Sequence, residues 1–271
     1  MSKLIVAKLG VLALLAVLAL GITVDAGATV APEGPEYGRC LKKTPGGSGT
    51  GYADKGCTSA VGSGAGYEWV PGIGPKTGFT ESAGATTLET HEGRQVSCTG
   101  MAAKGAYTGA SSLSLTITLT GCQLESAKCQ SGASAGEVVS EPLEGLIGNI
   151  KAETAPFNGI TGLELRASSG ETFMAFECGG TNVVVSGGTI HEVRSDKMLK
   201  SGLERFKLQP GSHGKGEQTP ECFDSRTGNP LISERCAILE TSIGGGPPVQ
   251  SALKLAAQVT NEEKLEVRAG I

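Results

Sequence analysis

The stretch Ser112-Leu113-Ser114-Leu115-Thr116-Ile117-Thr118-Leu119-Thr120 decides the fold class of this chain. Apolar and hydroxyl-bearing side chains alternate strictly along it, and four of these nine residues are β-branched. Successive side chains of a β-strand point to opposite faces, so a period of two predicts a half-buried strand. The predicted inward residues are Leu113, Leu115, Ile117 and Leu119.

Similar short segments continue along the chain at intervals of roughly ten residues, as in β-sandwiches and barrels. They are Gly162–Ala167, Glu171–Cys178, Asn182–Ser186, Thr189–Arg194, Cys236–Glu240, Val249–Val259 and Lys264–Arg268. Asn158-Gly159 is a tight-turn dipeptide. We expect a hairpin turn at Thr260–Glu263 and a break between strands at Gly244–Pro248.

Helical signals are few. Glu141–Ile150 and Asp196–Leu203 could each hold one short helix, but neither belongs to the regular strand–helix alternation of a parallel α/β sheet. The sequence therefore predicts an all-β protein, either an antiparallel β-sandwich or a barrel-like single domain. A loop-rich N-terminal extension held by a disulfide would precede it.

Composition excludes several other classes. The chain of 271 residues has 42 glycines and 12 prolines without a Gly-X-Y period, which excludes collagen, a coiled coil and a long helical bundle. The net charge of −4 argues against nucleic-acid binding, which needs basic residues to neutralise phosphates. No motif indicates a cofactor or a metal, so we expect neither.

The N-terminus has the pattern of a secretory signal peptide. Lys3 and Lys8 precede the apolar run Leu9–Val24, and Ala26-Gly27-Ala28 supplies the small residues that signal peptidase accepts. A retained membrane anchor is the alternative, although the run is short for a spanning helix. The expected organisation is a signal peptide over 1–28, the extension over 29–75 and the all-β domain over 76–271. We expect a secreted or cell-surface protein with no membrane segment after cleavage.

The eight cysteines all follow the predicted cleavage site. An even number in an exported protein indicates a disulfide framework, whereas the absence of a Cys-x-x-Cys pair argues against zinc. Proximity in sequence and loop closure predict one pairing scheme out of the many that eight cysteines allow. The predicted bonds are Cys40–Cys57, Cys122–Cys129, Cys222–Cys236 and Cys98–Cys178.

Several short strings together resemble an uncharacterised family of secreted, cysteine-bridged proteins from high-GC Gram-positive soil bacteria. The strings are Tyr37-Gly38-Arg39-Cys40, Cys57-Thr58, Tyr67-Glu68-Trp69-Val70-Pro71-Gly72, Phe79-Thr80, Leu88-Glu89-Thr90, Thr120-Gly121-Cys122, Cys178-Gly179-Gly180 and Thr260-Asn261-Glu262-Glu263. This resemblance implies secretion and no known activity. Cys222 and Cys236 depart from the family's usual pattern, and two extra cysteines would most simply pair with each other.

Aromatic residues mark the one candidate ligand-binding site. Four of the five Tyr and Trp residues lie within the first 70 positions, and Tyr67 and Trp69 would share one face of a strand. Exposed amphipathic rings suit recognition of a glycan or of a protein at the cell surface. The favoured interpretation is nevertheless that these rings fill a small satellite core under the Cys40–Cys57 loop, because Trp is usually well buried.

Other motifs have simpler interpretations. Gly132–Gly136 matches the Gly-x-Ser-x-Gly nucleophile elbow at Ser134, but a flexible turn after Cys129 is the favoured interpretation. His91, His191 and His213 are widely separated and lack ligand spacing. The hydroxyl row of Thr116, Thr118 and Thr120 would need to repeat on neighbouring strands to bind a polysaccharide, and we expect a solvated face instead.

The leading functional hypothesis is an exported, non-catalytic β protein with a binding or structural role outside the cell. An extracellular hydrolase with an unrecognised carboxylate or serine site is the alternative. A pocket with convergent carboxylates or a Ser–His contact would favour the enzyme, whereas an exposed Tyr/Trp face would favour binding.

Overall fold

The computed structural model describes residues 34–43, 51–61, 64–132, 134–150, 160–193, 199–204, 221–223 and 236–268. The predicted signal peptide, the Asn158-Gly159 turn and His213 lie outside these ranges. The described residues form strands and turns without a helix, which confirms the all-β prediction. Consequently none of them belongs to a helix long and apolar enough to cross a membrane.

The strands are short and numerous. In chain order they are β1 (Glu36–Lys42), β2 (Gly51–Tyr52), β3 (Ala60–Val61), β4 (Tyr67–Pro71), β5 (Gly78–Ala83), β6 (Thr86–Thr90), β7 (Gln95–Cys98), β8 (Gly100–Tyr107), β9 (Ser112–Thr120), β10 (Gln123–Leu124), β11 (Ala127–Gln130), β12 (Glu137–Val139), β13 (Leu143–Asn149), β14 (Thr161–Ala167), β15 (Thr172–Cys178), β16 (Thr181–Glu192), β17 (Leu199–Glu204), β18 (Glu221–Cys222), β19 (Cys236–Ala237), β20 (Leu239–Ile243), β21 (Val249–Lys254) and β22 (Ala257–Arg268).

Eight of these strands form a closed antiparallel barrel. Its order is β6, β7, β10, β11, β15, β16, β20 and β21, and β21 pairs back onto β6. Closure matters because every strand then has a partner on both sides, so no hydrogen-bonding edge is left open.

A second sheet, the large sheet, extends from the other half of β16. It runs through β14, β13, β9, β8, β5 and β22 to β17, with all neighbours antiparallel. The N-terminal sheet continues from it, because β22 also pairs with β1, and β1 in turn pairs with β4, β4 with β2 and β2 with β3. The described part of the N-terminal extension is therefore made of strands joined to the main domain.

Strand β9 confirms the prediction made from its alternation. Leu113, Leu115, Ile117 and Leu119 are 1–4% exposed, while the residues between them are exposed or half-buried. The same inward pattern continues across the barrel and the large sheet, whose buried residues form one contiguous core. The core is thus built by period-two patterning of short strands rather than by any long apolar segment.

Strand β14 departs from this pattern. The alternation at Gly162–Ala167 predicts a half-buried strand, yet the structure buries both faces of its first five residues, including Glu164. Beside it, Ile190, Phe223 and Ala237 form a second small buried cluster. Ala237 belongs to the short β18–β19 ladder and Phe223 directly follows β18, so a long-range contact covers the face that sequence predicts to be solvated.

Three local predictions are wrong. Leu143–Asn149 is strand β13 rather than a helix, and Leu199–Glu204, at the end of the other helical segment, is strand β17. Thr260–Glu263 lies inside the continuous strand β22 rather than in a hairpin turn. In each case ladder hydrogen bonds to neighbours distant in sequence outweigh a weak local preference. The break at Gly244–Pro248 is confirmed between β20 and β21.

Two of the four predicted disulfides are correct, Cys40–Cys57 and Cys222–Cys236. The other two are wrong: Cys98 bonds to Cys122, and Cys129 bonds to Cys178. Strand register explains the difference, because it places these four residues in one row across β7, β10, β11 and β15. Cys98 and Cys178 stand at opposite ends of that row, roughly 14 Å apart along the barrel wall, whereas a disulfide needs Cα atoms within about 7 Å.

Candidate functional site

The register of the N-terminal sheet brings the two predicted site residues together with a third ring. On β4, Trp69 lies opposite Cys40 and Tyr67 lies opposite Tyr52 of β2. Register partners share a face of an antiparallel sheet, so Tyr52, Tyr67 and Trp69 lie on one side, which we call the aromatic face. Tyr37 points the other way and is 3% exposed in the main core.

Trp69 is half-buried because its indole packs against Gly38 of β1. A Cβ atom added at Gly38 would stand 2.1 Å from the indole ring, so only glycine leaves room for this contact. Tyr67 is also half-buried. The two sequence interpretations therefore each describe part of the arrangement: Trp69 packs on its own sheet, yet both residues retain exposed surface on the same face.

Arg268 inserts between two of the rings from the end of β22. Its guanidinium carbon lies 5.1 Å from the centre of the Tyr52 ring and 5.0 Å from that of Trp69. Both distances are within the range of cation–π attraction. The guanidinium also donates to the Tyr52 hydroxyl at 2.6 Å and to the carbonyl of Cys57 at 2.7 Å. Arg268 thus fixes the orientation of the rings.

Glu266 completes the charge balance of the aromatic face. Its carboxylate accepts a hydrogen bond from Nε of Arg268 at 3.0 Å. Burial alone would lower the pKa of Arg268, but hydrogen bonds to Glu266 and Tyr52 outweigh it and raise the pKa above its usual value. The guanidinium is therefore a permanent cation between the Tyr52 and Trp69 rings.

The loop that borders the aromatic face is held rigidly. The Cys40–Cys57 bond ties it to β1, and the Asp54 carboxylate accepts backbone N–H bonds from Gly56 at 2.8 Å and Ser59 at 2.8 Å. These bonds, that from Ser59 above all, lower the pKa of Asp54, so the carboxylate stays charged. A preordered loop reduces the entropy lost when a ligand binds.

The remaining candidate residues are not brought together by the fold. Ser134 lies in the exposed turn between β11 and β12, without the strand–turn–helix of a nucleophile elbow. His91 is exposed in the turn after β6. His191 is 1% exposed on β16, where burial lowers its pKa to about 3. Among the described residues, no group of three or more His, Cys, Asp or Glu could hold a metal ion.

The hydroxyl row of β9 does not repeat on the adjoining strand β8, as expected, because Lys104 and Ala102 lie opposite Thr116 and Thr118. Hydroxyl side chains reappear further along the sheet, on β5 and β22. Register aligns Thr116 with Lys104, Thr80 and Thr260 across β9, β8, β5 and β22. The next row on this face, two residues further along β9, aligns Thr118 with Ala102, Ser82 and Gln258. No local signal could have found these rows, because the strands come from distant parts of the sequence.

A groove of about 560 Å³ crosses the same outer face of the large sheet, where β8, β9 and β13 meet. Its lining includes the hydroxyls of Ser114 and Thr116 and the charged side chains of Lys104 and Glu144. Glu144 is paired with Arg166. The groove offers polar contacts, but its ring-free surface is chemically distinct from the aromatic face.

Comparisons of the chain with family models, with curated proteins and with solved structures found no match.

Proposed function

We propose that the protein is exported and acts outside the cell as a non-catalytic binding protein, with the aromatic face as its contact surface. The ligand class is a glycan or a protein at the cell surface. One observation carries the proposal: Tyr52, Tyr67 and Trp69 lie half-buried on a single face, where the Arg268 cation holds the Tyr52 and Trp69 rings. Rigid amphipathic rings supply large contact area at low entropic cost.

Export is supported by the four disulfides, which are typical of oxidising compartments. The predicted signal peptide and the resemblance to a secreted family point to the same compartment. The exported form would carry no membrane segment.

The competing hydrolase hypothesis has less support from the described residues. Ser134 is exposed in a turn, whereas His191 is a neutral imidazole enclosed in the core, away from any substrate at the surface. A substrate at Ser134 would therefore need a base from elsewhere. The aromatic face needs no such additional group in order to bind.

Binding assays against panels of polysaccharides and of extracellular proteins test the proposal. We expect Tyr67→Ala to weaken binding at least tenfold with little change in melting temperature, because Tyr67 has exposed surface and is not part of the Arg268 contact. Trp69→Ala should weaken binding and also lower the melting temperature, since the indole packs against Gly38 and Arg268.

Val184→Ala is the matched control. Val184 is 40% exposed on the barrel, away from the N-terminal sheet, so this variant should bind like the wild type. Unchanged binding by a folded Tyr67→Ala variant would contradict the assignment of the aromatic face. Failure to bind any member of either panel would contradict the binding function itself.

A further inference from the structure

The wall of the barrel carries four cysteines in consecutive positions of one cross-strand row. Ser97 of β7 pairs with Gln123 of β10, and continuing this register by one residue places Cys98 opposite Cys122. Gln123 also pairs with Lys128 of β11, and the next pair in that register is Cys122 with Cys129. Cys129 is the direct partner of Cys178. Each cysteine therefore has its nearest cysteine on the adjoining strand.

All four side chains point to the barrel interior. Cys122 and Cys129 are 0% exposed, Cys178 is 1% exposed and Cys98 is 5% exposed. The native bonds join Cys98 to Cys122 and Cys129 to Cys178, so the two central cysteines belong to different disulfides. These central residues are adjacent: the backbone N–H of Cys129 donates to the carbonyl of Cys122 at 2.9 Å.

We propose that this row is a thiol–disulfide relay, in which attack by an external dithiol on Cys98 moves the remaining disulfide to Cys122–Cys129 and releases Cys178 as a thiol. The inference is independent of the binding function. It rests on adjacency, because opposite residues of an antiparallel ladder have Cβ atoms about 4.5–5.5 Å apart, within reach of a disulfide after small movements.

Cys98 is the entry point. It is the most exposed of the four, and it is among the residues that line a cleft of about 520 Å³, together with Ser97, Gly121 and Gln123. The two strands that would separate to admit a reagent are short, four residues in β7 and two in β10. Short ladders open locally at lower free energy than long ones.

The exchange balances in atoms and electrons. A thiolate of the dithiol attacks Sγ of Cys98, the bond to Cys122 breaks, and Cys122 leaves as a thiolate. That thiolate attacks Sγ of Cys129, and Cys178 leaves as a thiolate that takes a proton from water. The second thiol of the reagent then attacks the mixed disulfide, which releases Cys98 and the cyclised reagent. The dithiol loses two electrons, and one protein disulfide is reduced.

The two cysteines at the ends of the row cannot form a disulfide with each other. Cys98 and Cys178 stand three strand spacings apart, roughly 14 Å along the wall, and cannot bond to each other without unfolding the barrel. The relay therefore always ends with Cys98 and Cys178 as free thiols at the two ends of the row. This outcome distinguishes a relay from independent reduction of two separate disulfides.

Partial reduction of the folded wild-type protein tests the relay. Dithiothreitol is titrated until half of the four-cysteine row is reduced, thiols are blocked with N-ethylmaleimide, and the protein is digested with trypsin. The four cysteines fall in separate tryptic peptides, 95–104, 105–128, 129–151 and 167–194. We expect a new link between 105–128 and 129–151, with the two native links declining together and with Cys98 and Cys178 blocked. Native links alone at every stage of the titration would overturn the relay.

Two double variants give a matched comparison. Cys98→Ser/Cys178→Ser should form the Cys122–Cys129 bond in the folded protein. Cys122→Ser/Cys129→Ser should leave Cys98 and Cys178 as two thiols that N-ethylmaleimide blocks once the protein is unfolded. A disulfide between Cys98 and Cys178 in the second variant, or two free thiols in a folded first variant, would contradict the proposed row.

Discussion

His191 illustrates how a single polar residue adapts to the interior of this protein. It lies on β16 opposite Leu163 of β14 and is 1% exposed. Burial disfavours the charged imidazolium and lowers the pKa of His191 from 6.5 to about 3. The folded protein therefore holds this residue neutral at any pH above that value, and protonation favours the unfolded chain.

The first prediction follows from that difference in pKa. Below about pH 6.5 the unfolded chain binds a proton at His191 and the folded protein does not, so folding stability falls as pH falls. The expected loss from this residue is about 1.4 kcal/mol per pH unit, continuing towards pH 3. Urea unfolding at pH 7 and pH 5 should show a smaller loss in His191→Leu than in the wild type.

The contribution of Glu164 to folding stability has the opposite pH dependence. It cancels when the wild type is compared with His191→Leu. Burial, with a smaller contribution from Glu144, raises its pKa above the usual value despite the nearby Arg166. The folded protein then binds a proton more readily than the unfolded chain, which adds stability as pH falls. Both proteins retain Glu164, so parallel pH profiles of the wild type and His191→Leu would contradict the assignment to His191.

At the scale of the elements, β16 is the strand that joins the two sheets. Its first half, Thr181–Ser186, pairs with β15 and β20 in the barrel, and Gly188–Glu192 pairs with β14 in the large sheet. The change of partner occurs at Gly187, where φ is +87°. A Cβ atom there would stand 2.1 Å from the carbonyl oxygen of Ile238, so the crossing requires glycine.

The second prediction compares Gly187 with Gly170, two glycines that both have a positive φ angle. Gly187→Ala should destabilise the protein by about 3 kcal/mol or more, because left-handed strain adds to a clash with backbone. Gly170 has φ of +71° with open space around the Cβ position, so Gly170→Ala should cost about 1–2 kcal/mol from strain alone. Chemical denaturation measures both; equal costs would mean that β16 does not cross tightly at Gly187.

Elements with a strong local pattern could be predicted from sequence, and those defined by their partners could not. Strand β9 alternates over nine residues and was predicted with its correct inward face. Strands β13 and β17 lack such a pattern and owe their extended form to ladders with distant neighbours. The short strands of the barrel, two to four residues in β7, β10 and β11, carry too little periodicity to identify their partners.

Part of the candidate site could likewise be predicted from sequence, and part of it could not. Tyr67 and Trp69 are two residues apart, so a shared face follows from strand geometry alone. Tyr52 and Arg268 join them only through register, and they are 216 residues apart in the chain. The placement of the Arg268 cation between the Tyr52 and Trp69 rings is therefore a property of the folded sheet.

At the scale of the whole molecule, covalent links compensate for short strands. The barrel contains ladders of only two paired residues, such as β7–β10, β10–β11 and β11–β15. Cys98–Cys122 and Cys129–Cys178 cross the first and the third of them. A cross-link restricts the unfolded chain and stabilises a domain by about 2–4 kcal/mol. The disulfides are placed where backbone pairing is least extensive.

A closed antiparallel barrel sets the four cysteines in one row and bonds them in neighbouring pairs. Tryptic mapping of the unreduced, fully oxidised protein measures this pairing. We expect peptide 95–104 to be linked to 105–128, and 129–151 to be linked to 167–194. A link between 95–104 and 167–194 would place Cys98 beside Cys178 and contradict the strand order of the barrel.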